Sequence, residues 1–337
     1  MGRRPRSGEG PSGLLLVDKP AGLSSAAVVA RVRRVLGGVK AGHTGTLDPF
    51  ATGLLPLALG EGTKLATYLT ASDKAYEGVI ALGTCTDTHD RTGAVTATAA
   101  VPPLDDARLD EVAADFRGSI AQVPPVHSAL KRGGRPMYEL ARRGEAPELD
   151  PRPAMVHRLQ LRLIAPDRVA VEVECSKGFY VRSLARDLGE ALGCGAMLES
   201  LRRTRVGRFG LDDALPLEVL EGQGGEAEAD RRLLSLEDAL GHLRAVEVSA
   251  ADAEDLRLGR QGPLLRIPPG QPGEHIRVTG PAGLVAVAAC ECRLWNLERV
   301  FAAVPLRPAP CPAGGFMVPP CLSSKEEEER NEANRRD

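Results

Sequence analysis

The sequence of 337 residues contains few aromatic residues and no long hydrophobic run. Phe, Trp and Tyr together make up 3% of the chain, so we expect a core built from aliphatic side chains. The longest apolar runs, such as residues 284–290, are far shorter than the ~20 residues that a membrane-spanning helix needs. Residues 1–12 lead into only a short apolar stretch, so we also expect no secretion signal and a cytoplasmic location.

Metal-binding and nucleotide-binding signatures are also missing. The seven cysteines are irregularly spaced, and none of the six histidines lies at ligand spacing from a cysteine, so we expect reduced thiols and no metal site. Residues 60–64 superficially resemble a nucleotide loop, but they lack the spacing of the phosphate-binding Walker motif. The sequence therefore predicts a protein without a metal or nucleotide cofactor.

Charge is unevenly distributed along the chain. The formal net charge is −2, from 43 basic and 45 acidic residues, which by itself argues against a polyanionic partner. Residues 1–40 nevertheless contain eight Lys or Arg and two acids, whereas residues 211–240 contain two and nine. We therefore expect a locally basic surface that attracts phosphates, and the helix that carries Arg31, Arg33 and Arg34 is a candidate part of it.

Hydrophobic periodicity predicts a mixed α+β protein. Alternating apolar residues indicate strands, and apolar residues at a spacing of three and four indicate helices. Strands are expected at residues 13–17, 76–82 and 169–175, and helices at 24–36 and 183–192. Ser24 or Ser25 can cap the first of these helices. Residues 41–64 are rich in glycine and low in charge, which we interpret as a structured loop rather than regular structure.

Composition divides the chain into two domains and a tail. Residues 1–245 form the large domain, and within it residues 101–150 look like an RNA-binding insertion. The insertion contains a basic loop at residues 131–135, which we expect to contact phosphates, and a short helix at residues 137–143. Residues 246–307 contain short strand-like runs separated by Gly and Pro, as in a small β-barrel. Residues 308–337 are rich in proline and then in charge, so we expect a disordered tail.

One acidic residue stands out in the predicted loop. Asp48 is the one carboxylate within residues 42–49, and it lies close to Gly42 and Gly45. An isolated Asp before Pro49 usually caps a turn. The alternative is a reactive carboxylate, and the long glycine-bearing pattern around Asp48 favours that alternative.

These motifs resemble those of the TruB family of bacterial tRNA pseudouridine synthases. The matching blocks, in family order, are Lys19-Pro20, residues 42–49, Gly53-Leu54-Leu55-Pro56, Leu82-Gly83 with Thr86-Asp87-Thr88 and Asp90, Gln122-Val123-Pro124-Pro125 with Ser128-Ala129-Leu130-Lys131, Cys175-Ser176-Lys177-Gly178, and Leu201-Arg202-Arg203. The resemblance covers residues 13–210. Two departures, His127 and Phe179, concern the fit to RNA rather than the acidic residue.

The resemblance implies a fold, an activity and a partner. The fold is a mixed, largely antiparallel sheet flanked by helices, followed by a small C-terminal barrel of the PUA type. The activity is the isomerisation of the T-arm uridine at tRNA position 55 to pseudouridine, with no cofactor. The expected partner is the tRNA T-arm stem-loop. We expect a monomer with no obligate protein partner and no membrane association.

The resemblance also implies roles for individual residues. Asp48 is the nucleophile, Arg182 is its cationic partner, and Tyr76 stacks on a uridine flipped out of the RNA. His43 fills the gap that the flipped base leaves, and Leu201 belongs to the floor of the uracil pocket. The remaining predicted substrate-binding residues are Lys19, Lys64, Tyr180, Arg202 and Arg203, of which Lys64, Arg202 and Arg203 are contacts either to phosphate or to the protein scaffold.

Three other functions remain open from the sequence. A tRNA-binding or tRNA-folding module would not need the acid in the loop. A guide-dependent RNA pseudouridylase subunit would share the motif around Asp48 but not the sequence Gly53-Leu54-Leu55-Pro56. A hydrolase would use Asp48 against a small ester or halide, and it would need a general-base histidine that no matched block supplies.

Overall fold

The computed structural model describes residues 10–126, 131–132, 135–136 and 149–303. Its strands are β1 (Gly13–Lys19), β2 (Ala41–His43), β3 (Thr52–Leu59), β4 (Lys74–Leu82), β5 (Thr84–Thr86), β6 (Val95–Thr98), β7 (Gly118–Gln122), β8 (Lys131–Arg132), β9 (Arg135–Pro136), β10 (Arg152–Ala165), β11 (Arg168–Cys175), β12 (Ala196–Val206), β13 (Phe209–Gly210), β14 (Leu215–Pro216), β15 (Arg244–Glu247), β16 (His275–Gly280), β17 (Gly283–Glu291) and β18 (Leu294–Val300). Its α-helices are α1 (Ser25–Val35), α2 (Ala66–Thr70), α3 (Asp106–Ala114), α4 (Val181–Ala191), α5 (Leu217–Glu221), α6 (Gly225–Arg232), α7 (Leu236–Ala239) and α8 (Ala250–Arg257).

A ten-stranded sheet forms the centre of the molecule. Its strand order is β14-β1-β3-β12-β4-β11-β10-β7, with β2 paired to β3 and β13 paired to β12. The pairs β1–β14 and β3–β12 are parallel, and the other pairs in this sheet are antiparallel. The predicted α+β class, with a mixed and largely antiparallel sheet flanked by helices, is confirmed.

The burial of each strand explains whether the sequence predicted it. Strands β4 and β11 lie where alternating residues predicted them. In β11 buried residues alternate with more exposed ones, because one face of that strand packs in the core. The structured-loop interpretation of residues 41–64 is wrong, since this segment contains β2, β3 and a 3₁₀ turn at Gly60–Leu65. Seven of the eight residues of β3 are buried because hydrophobic clusters cover both of its faces, so its apolar run does not alternate.

The helices predicted at residues 24–36 and 183–192 are present. Helix α1 begins after Ser24, whose side chain accepts a hydrogen bond from the Ala27 amide, and its predicted stripe packs into the core through Val28, Val32 and Leu36. Helix α4 begins at Val181, two residues earlier than the predicted start. This early start places Arg182 in the first turn of the helix.

The C-terminal strands form a sheet rather than the expected closed barrel. The order of this sheet is β15-β16-β17-β18, and no pairing among the described residues joins β15 to β18. Helix α8 and the 3₁₀ turn Gly262–Arg266 bury one face of the sheet in a cluster that includes Leu256, Leu264 and Trp295. A covered face needs no closure to exclude water, which explains the open arrangement.

Several predictions concern parts of the chain outside the described residues. The side chains of the basic loop 131–135, residues 137–148 and the tail 308–337 are among them. The domain boundary near residue 245 stays a prediction. Among the described helices, none is long and apolar enough to cross a membrane.

Candidate active site

Asp48 lies on the loop that joins β2 to β3, and two residues from the N-terminal segment hold this loop in place. The buried Ser25 hydroxyl donates to the Leu47 carbonyl at 3.0 Å and accepts from the Leu47 amide at 2.8 Å. Lys19 is fully buried, and its Nζ donates to the carbonyls of Pro20, Leu23 and Pro49. The peptides on both sides of Asp48 are therefore fixed by the protein.

Arg203 holds the other side of the same loop. Its side chain is buried, and its guanidinium donates to the carbonyls of Gly45 at 3.1 Å, Thr46 at 3.4 Å and Leu54 at 2.8 Å. Gly53 is essential to this close approach, because it has φ +101° and a Cβ atom there would lie 2.3 Å from the Arg203 carbonyl oxygen. Arg203 is therefore a scaffold contact rather than a phosphate contact.

Arg182 forms an ion pair with Asp48 across 134 residues of sequence. Its Nε lies 2.9 Å from Asp48 Oδ2, and its Nη2 donates to Asp48 Oδ1 at 3.2 Å. Its Nη1 donates to the Thr88 carbonyl at 3.1 Å and lies 3.6 Å from Asp90 Oδ2. One buried guanidinium thus contacts two carboxylates, and of these two the Asp48 side chain, which is 31% exposed, faces open space.

The surroundings of Asp48 shift its pKa in opposite directions. Burial raises the pKa of Asp48, and the carboxylate of Asp90 adds to that rise, whereas the Arg182 guanidinium lowers it through charge and hydrogen bonding. Burial also lowers the pKa of Lys19 to about 8, although Asp48 opposes that shift. The ionised form of Asp48 therefore depends on Arg182 more than on any other neighbour.

A cleft of about 320 Å³ opens over this ion pair. Six of the predicted site residues line it: Asp48, Tyr76, Tyr180, Arg182, Leu201 and Arg203. Burial raises the pKa of Tyr76, so its hydroxyl stays protonated. The cleft offers one oriented carboxylate beside an aromatic ring and an apolar side chain, a combination suited to a nucleophilic attack on a planar ligand.

The other predicted residues lie away from the lining of the cleft. His43 is on β2, and its buried Nδ1 has no hydrogen-bond partner among the described residues, while burial lowers its pKa. Lys64 binds Glu61 at 2.6 Å and the Val300 carbonyl at 2.9 Å, so it ties the core to the C-terminal sheet. Arg202 pairs with Asp18 at 2.7 Å, although 41% of its side chain remains exposed.

Two residues that support Asp48 and Arg182 from outside the cleft have no site role predicted from the sequence. The sequence predicts only a helix cap for Ser25, and for Asp90 only membership in a motif that resembles the family. Asp90 is buried and accepts hydrogen bonds from the Thr88 hydroxyl and from the amide and hydroxyl of Thr92. The signal that could have found it is an acid within a run of threonines, because such hydroxyls commonly bind a buried carboxylate.

Comparisons with known proteins agree with this geometry. Residues 33–181 match the N-terminal domain of the TruB family of pseudouridylate synthases, and residues 182–241 match the tRNA pseudouridylate synthase B C-terminal domain. The chain is 48% identical to the tRNA pseudouridine synthase B of Aromatoleum aromaticum, over 83% of this chain and 89% of that protein. It is 45% identical to the enzyme of the same name from Geobacter sulfurreducens, over 85% of this chain and 96% of that protein.

A solved structure supports the same assignment. A chain in the crystal structure of a Cbf5-Nop10-Gar1 complex superposes with a TM-score of 0.66 and 26% identity, over 86% of this chain and 85% of that chain. The two family domains together cover residues 33–241, which include the Asp48 loop, the helix that carries Arg182 and every strand of the central sheet except β1. This chain therefore belongs to the TruB family of pseudouridylate synthases and is an isomerase.

Proposed function

We propose that this protein converts the uridine at position 55 in the tRNA T-arm to pseudouridine. The observation that carries the proposal is the Asp48–Arg182 ion pair on the floor of the cleft. The substrate follows from the relatives, which are named tRNA pseudouridine synthase B and which the chain matches over 89% and 96% of their length.

Asp48 is the nucleophile in this proposal. Its carboxylate attacks the target nucleotide, and the N1–C1′ glycosidic bond breaks. After the uracil ring has turned, a C5–C1′ bond forms and the bond between Asp48 and the nucleotide breaks, which returns the free carboxylate. A proton leaves C5 and N1 gains one, so atoms and electrons balance without an oxidant, a reductant or a cofactor. Arg182 keeps the carboxylate ionised and oriented, which a weak nucleophile requires.

The target base reaches Asp48 only after it leaves the RNA stack. Extrusion of a base costs a few kcal/mol, which contacts in the enzyme offset. In the cleft the ring packs against Tyr76 and Leu201, and we assign to His43 the place that the base vacates. Arg202 keeps 41% of its side chain exposed, so it remains a candidate phosphate contact.

A guide-dependent subunit is the main alternative, because the Cbf5 chain has a similar fold. Identity to that chain is 26%, whereas identity to the tRNA pseudouridine synthase B of Aromatoleum aromaticum is 48%. This difference favours an enzyme that acts alone on tRNA. We also propose that the protein is a cytoplasmic monomer and that residues 246–307 form a further RNA-binding domain.

The decisive experiment uses the purified full-length chain and an unmodified tRNA transcript, without metal or nucleotide. We expect pseudouridine at position 55 and at no other position. A transcript with cytidine at position 55 is the control for the site.

Asp48→Asn should abolish turnover and leave tRNA binding nearly unchanged, because it removes the nucleophile and little volume. Asp213→Asn, an exposed residue outside the cleft, is the matched control and should keep wild-type activity. Mass spectrometry must exclude deamidation of the introduced asparagine back to aspartate. Single-turnover activity in an intact Asp48→Asn protein would refute the nucleophile.

A further inference from the structure

Gln122 makes a pair of hydrogen bonds that no part of the mechanism above uses. It is the last residue of β7, and its side chain is 3% exposed. Its Oε1 accepts from the Tyr180 amide at 2.8 Å, and its Nε2 donates to the Tyr180 carbonyl at 3.1 Å. A primary amide provides one acceptor and one donor in this geometry, which neither a carboxylate nor an apolar side chain can do.

The peptide that Gln122 holds is the start of helix α4. Tyr180 is the N-cap residue, and its side chain makes no capping hydrogen bond to the helix. Its carbonyl accepts the first helical hydrogen bond, from the Leu184 amide at 3.1 Å, and the Gln122 bond at the same time. The end of β7 therefore fixes the helix start in the absence of a local cap.

A second contact ties the same two elements together. The Ser183 hydroxyl donates to the Val123 carbonyl at 2.8 Å, and Arg186 Nη2 donates to that carbonyl at 3.2 Å. Three side chains thus join residues 122–123 to the first turn and a half of α4. Arg182 lies within that turn, two residues after Tyr180.

We propose that Gln122 is a positioning residue for the reaction: it holds the Tyr180 peptide so that α4 presents the Arg182 guanidinium to Asp48 with both nitrogens in contact. The Arg182–Asp48 geometry depends on direction as well as charge, since two separate N–O contacts must form at once. A shift of about 1 Å in the helix start is enough to break one of them, and misplacement on that scale can cost about 100-fold in rate.

This inference rests on the proposed function, because Arg182 orients a nucleophile only if Asp48 is one. The test is therefore made on the full chain with tRNA under single-turnover conditions, with wild-type activity measured first. Gln122→Met keeps the length of the side chain and removes both hydrogen bonds. Gln160→Ala, an exposed glutamine on β10, is the control.

We expect Gln122→Met to lower the rate at saturating tRNA at least 10-fold, with tRNA affinity within twofold of wild type and Gln160→Ala unchanged. The titratable groups that face Asp48 are Arg182, Asp90, Lys19 and Tyr76, and Arg182 is the one that most lowers the pKa of Asp48, so a misplaced Arg182 should also move the acid limb of the pH–rate profile upward. A merely structural role would lower thermal stability without moving that limb.

A double-mutant cycle gives the sharpest readout. Because Gln122 acts through Arg182, Gln122→Met should lower the single-turnover rate less than threefold in an Arg182→Lys background, although it lowers that rate at least 10-fold in the otherwise wild-type protein. Gln122→Glu, which keeps the acceptor for the Tyr180 amide, replaces Gln122→Met if that variant does not fold, and the same non-additivity is expected.

Three results would overturn the inference. The first is a wild-type rate in a folded Gln122 variant. The second is a double variant whose rate loss equals the product of the losses in Gln122→Met and Arg182→Lys. The third is an acid limb of the pH–rate profile that stays at its wild-type position. An inactive wild-type protein would instead refute the proposed function, and the role of Gln122 with it.

Discussion

Replacing Arg182 by Met removes the guanidinium that pairs with Asp48. The substitution keeps much of the side-chain volume and leaves two carboxylates, Asp48 and Asp90, without their shared cation. Only 6% of the Arg182 side chain is exposed, so water cannot readily take its place. We expect the variant to bind tRNA almost as well as wild type and to react far more slowly.

The size of the effect follows from the geometry. Two unit charges about 4 Å apart attract each other by roughly 4 kcal/mol at an effective dielectric constant of 20. Asp48 is 31% exposed, so solvent screens part of this attraction, and we take roughly 2–4 kcal/mol as the loss. At 1.36 kcal/mol for each tenfold change, the rate should fall roughly 30- to 900-fold.

The pH dependence of the variant has a definite sign. Arg182 lowers the pKa of Asp48 against the raising effects of burial and Asp90, so its removal raises that pKa further. The nucleophile must be ionised, so the variant should lose activity at a higher pH than wild type as the solution is made more acidic. Raising the pH should recover part of the rate by restoring ionisation, but not the part that depends on orientation.

The assay is a single-turnover measurement of pseudouridine formation at saturating tRNA between pH 5.5 and pH 9. Arg168→Met is the matched control, because Arg168 also contacts two carboxylates, those of Asp167 and Glu199 at 2.6 Å each, and lies outside the cleft. A fall of less than threefold in Arg182→Met would refute the reasoning. So would a pH profile that coincides with that of wild type.

Two further predictions concern stability and RNA binding. Arg203→Met should lower the free energy of unfolding by ~3 kcal/mol, because three carbonyls lose their buried guanidinium partner. Urea denaturation measures this loss, and an unchanged midpoint would contradict the scaffold role. Reversal of Lys131, Arg132 and Arg135 to Glu, residues that the sequence predicts to contact phosphate, should weaken tRNA binding and flatten its salt dependence. If about five phosphates are contacted, log affinity should fall with log salt at a slope of roughly −3.5 in wild type, and an equal slope in the triple variant would argue against phosphate contacts by these residues.

The local features of this fold were accessible from the sequence. Alternation of apolar residues located β4 and β11, and in β11 it corresponds to one buried face. The cap and the apolar stripe located α1. The same rule failed for β3, since clusters on both of its faces remove the alternation. Asp48 stood out as one acid among glycines, and the resemblance of the surrounding motifs supplied a partner for it.

The sequence by itself determined the class of fold, the family and the candidate nucleophile, because these depend on short patterns of neighbouring residues. Only the tertiary structure decided which cations face solvent and which are buried. Arg202 and Arg203 are adjacent in the chain, yet one is 41% exposed and the other holds the Asp48 loop from inside the core. Strand alternation sends neighbouring side chains to opposite faces, and only the packing of each face shows which of them meets water.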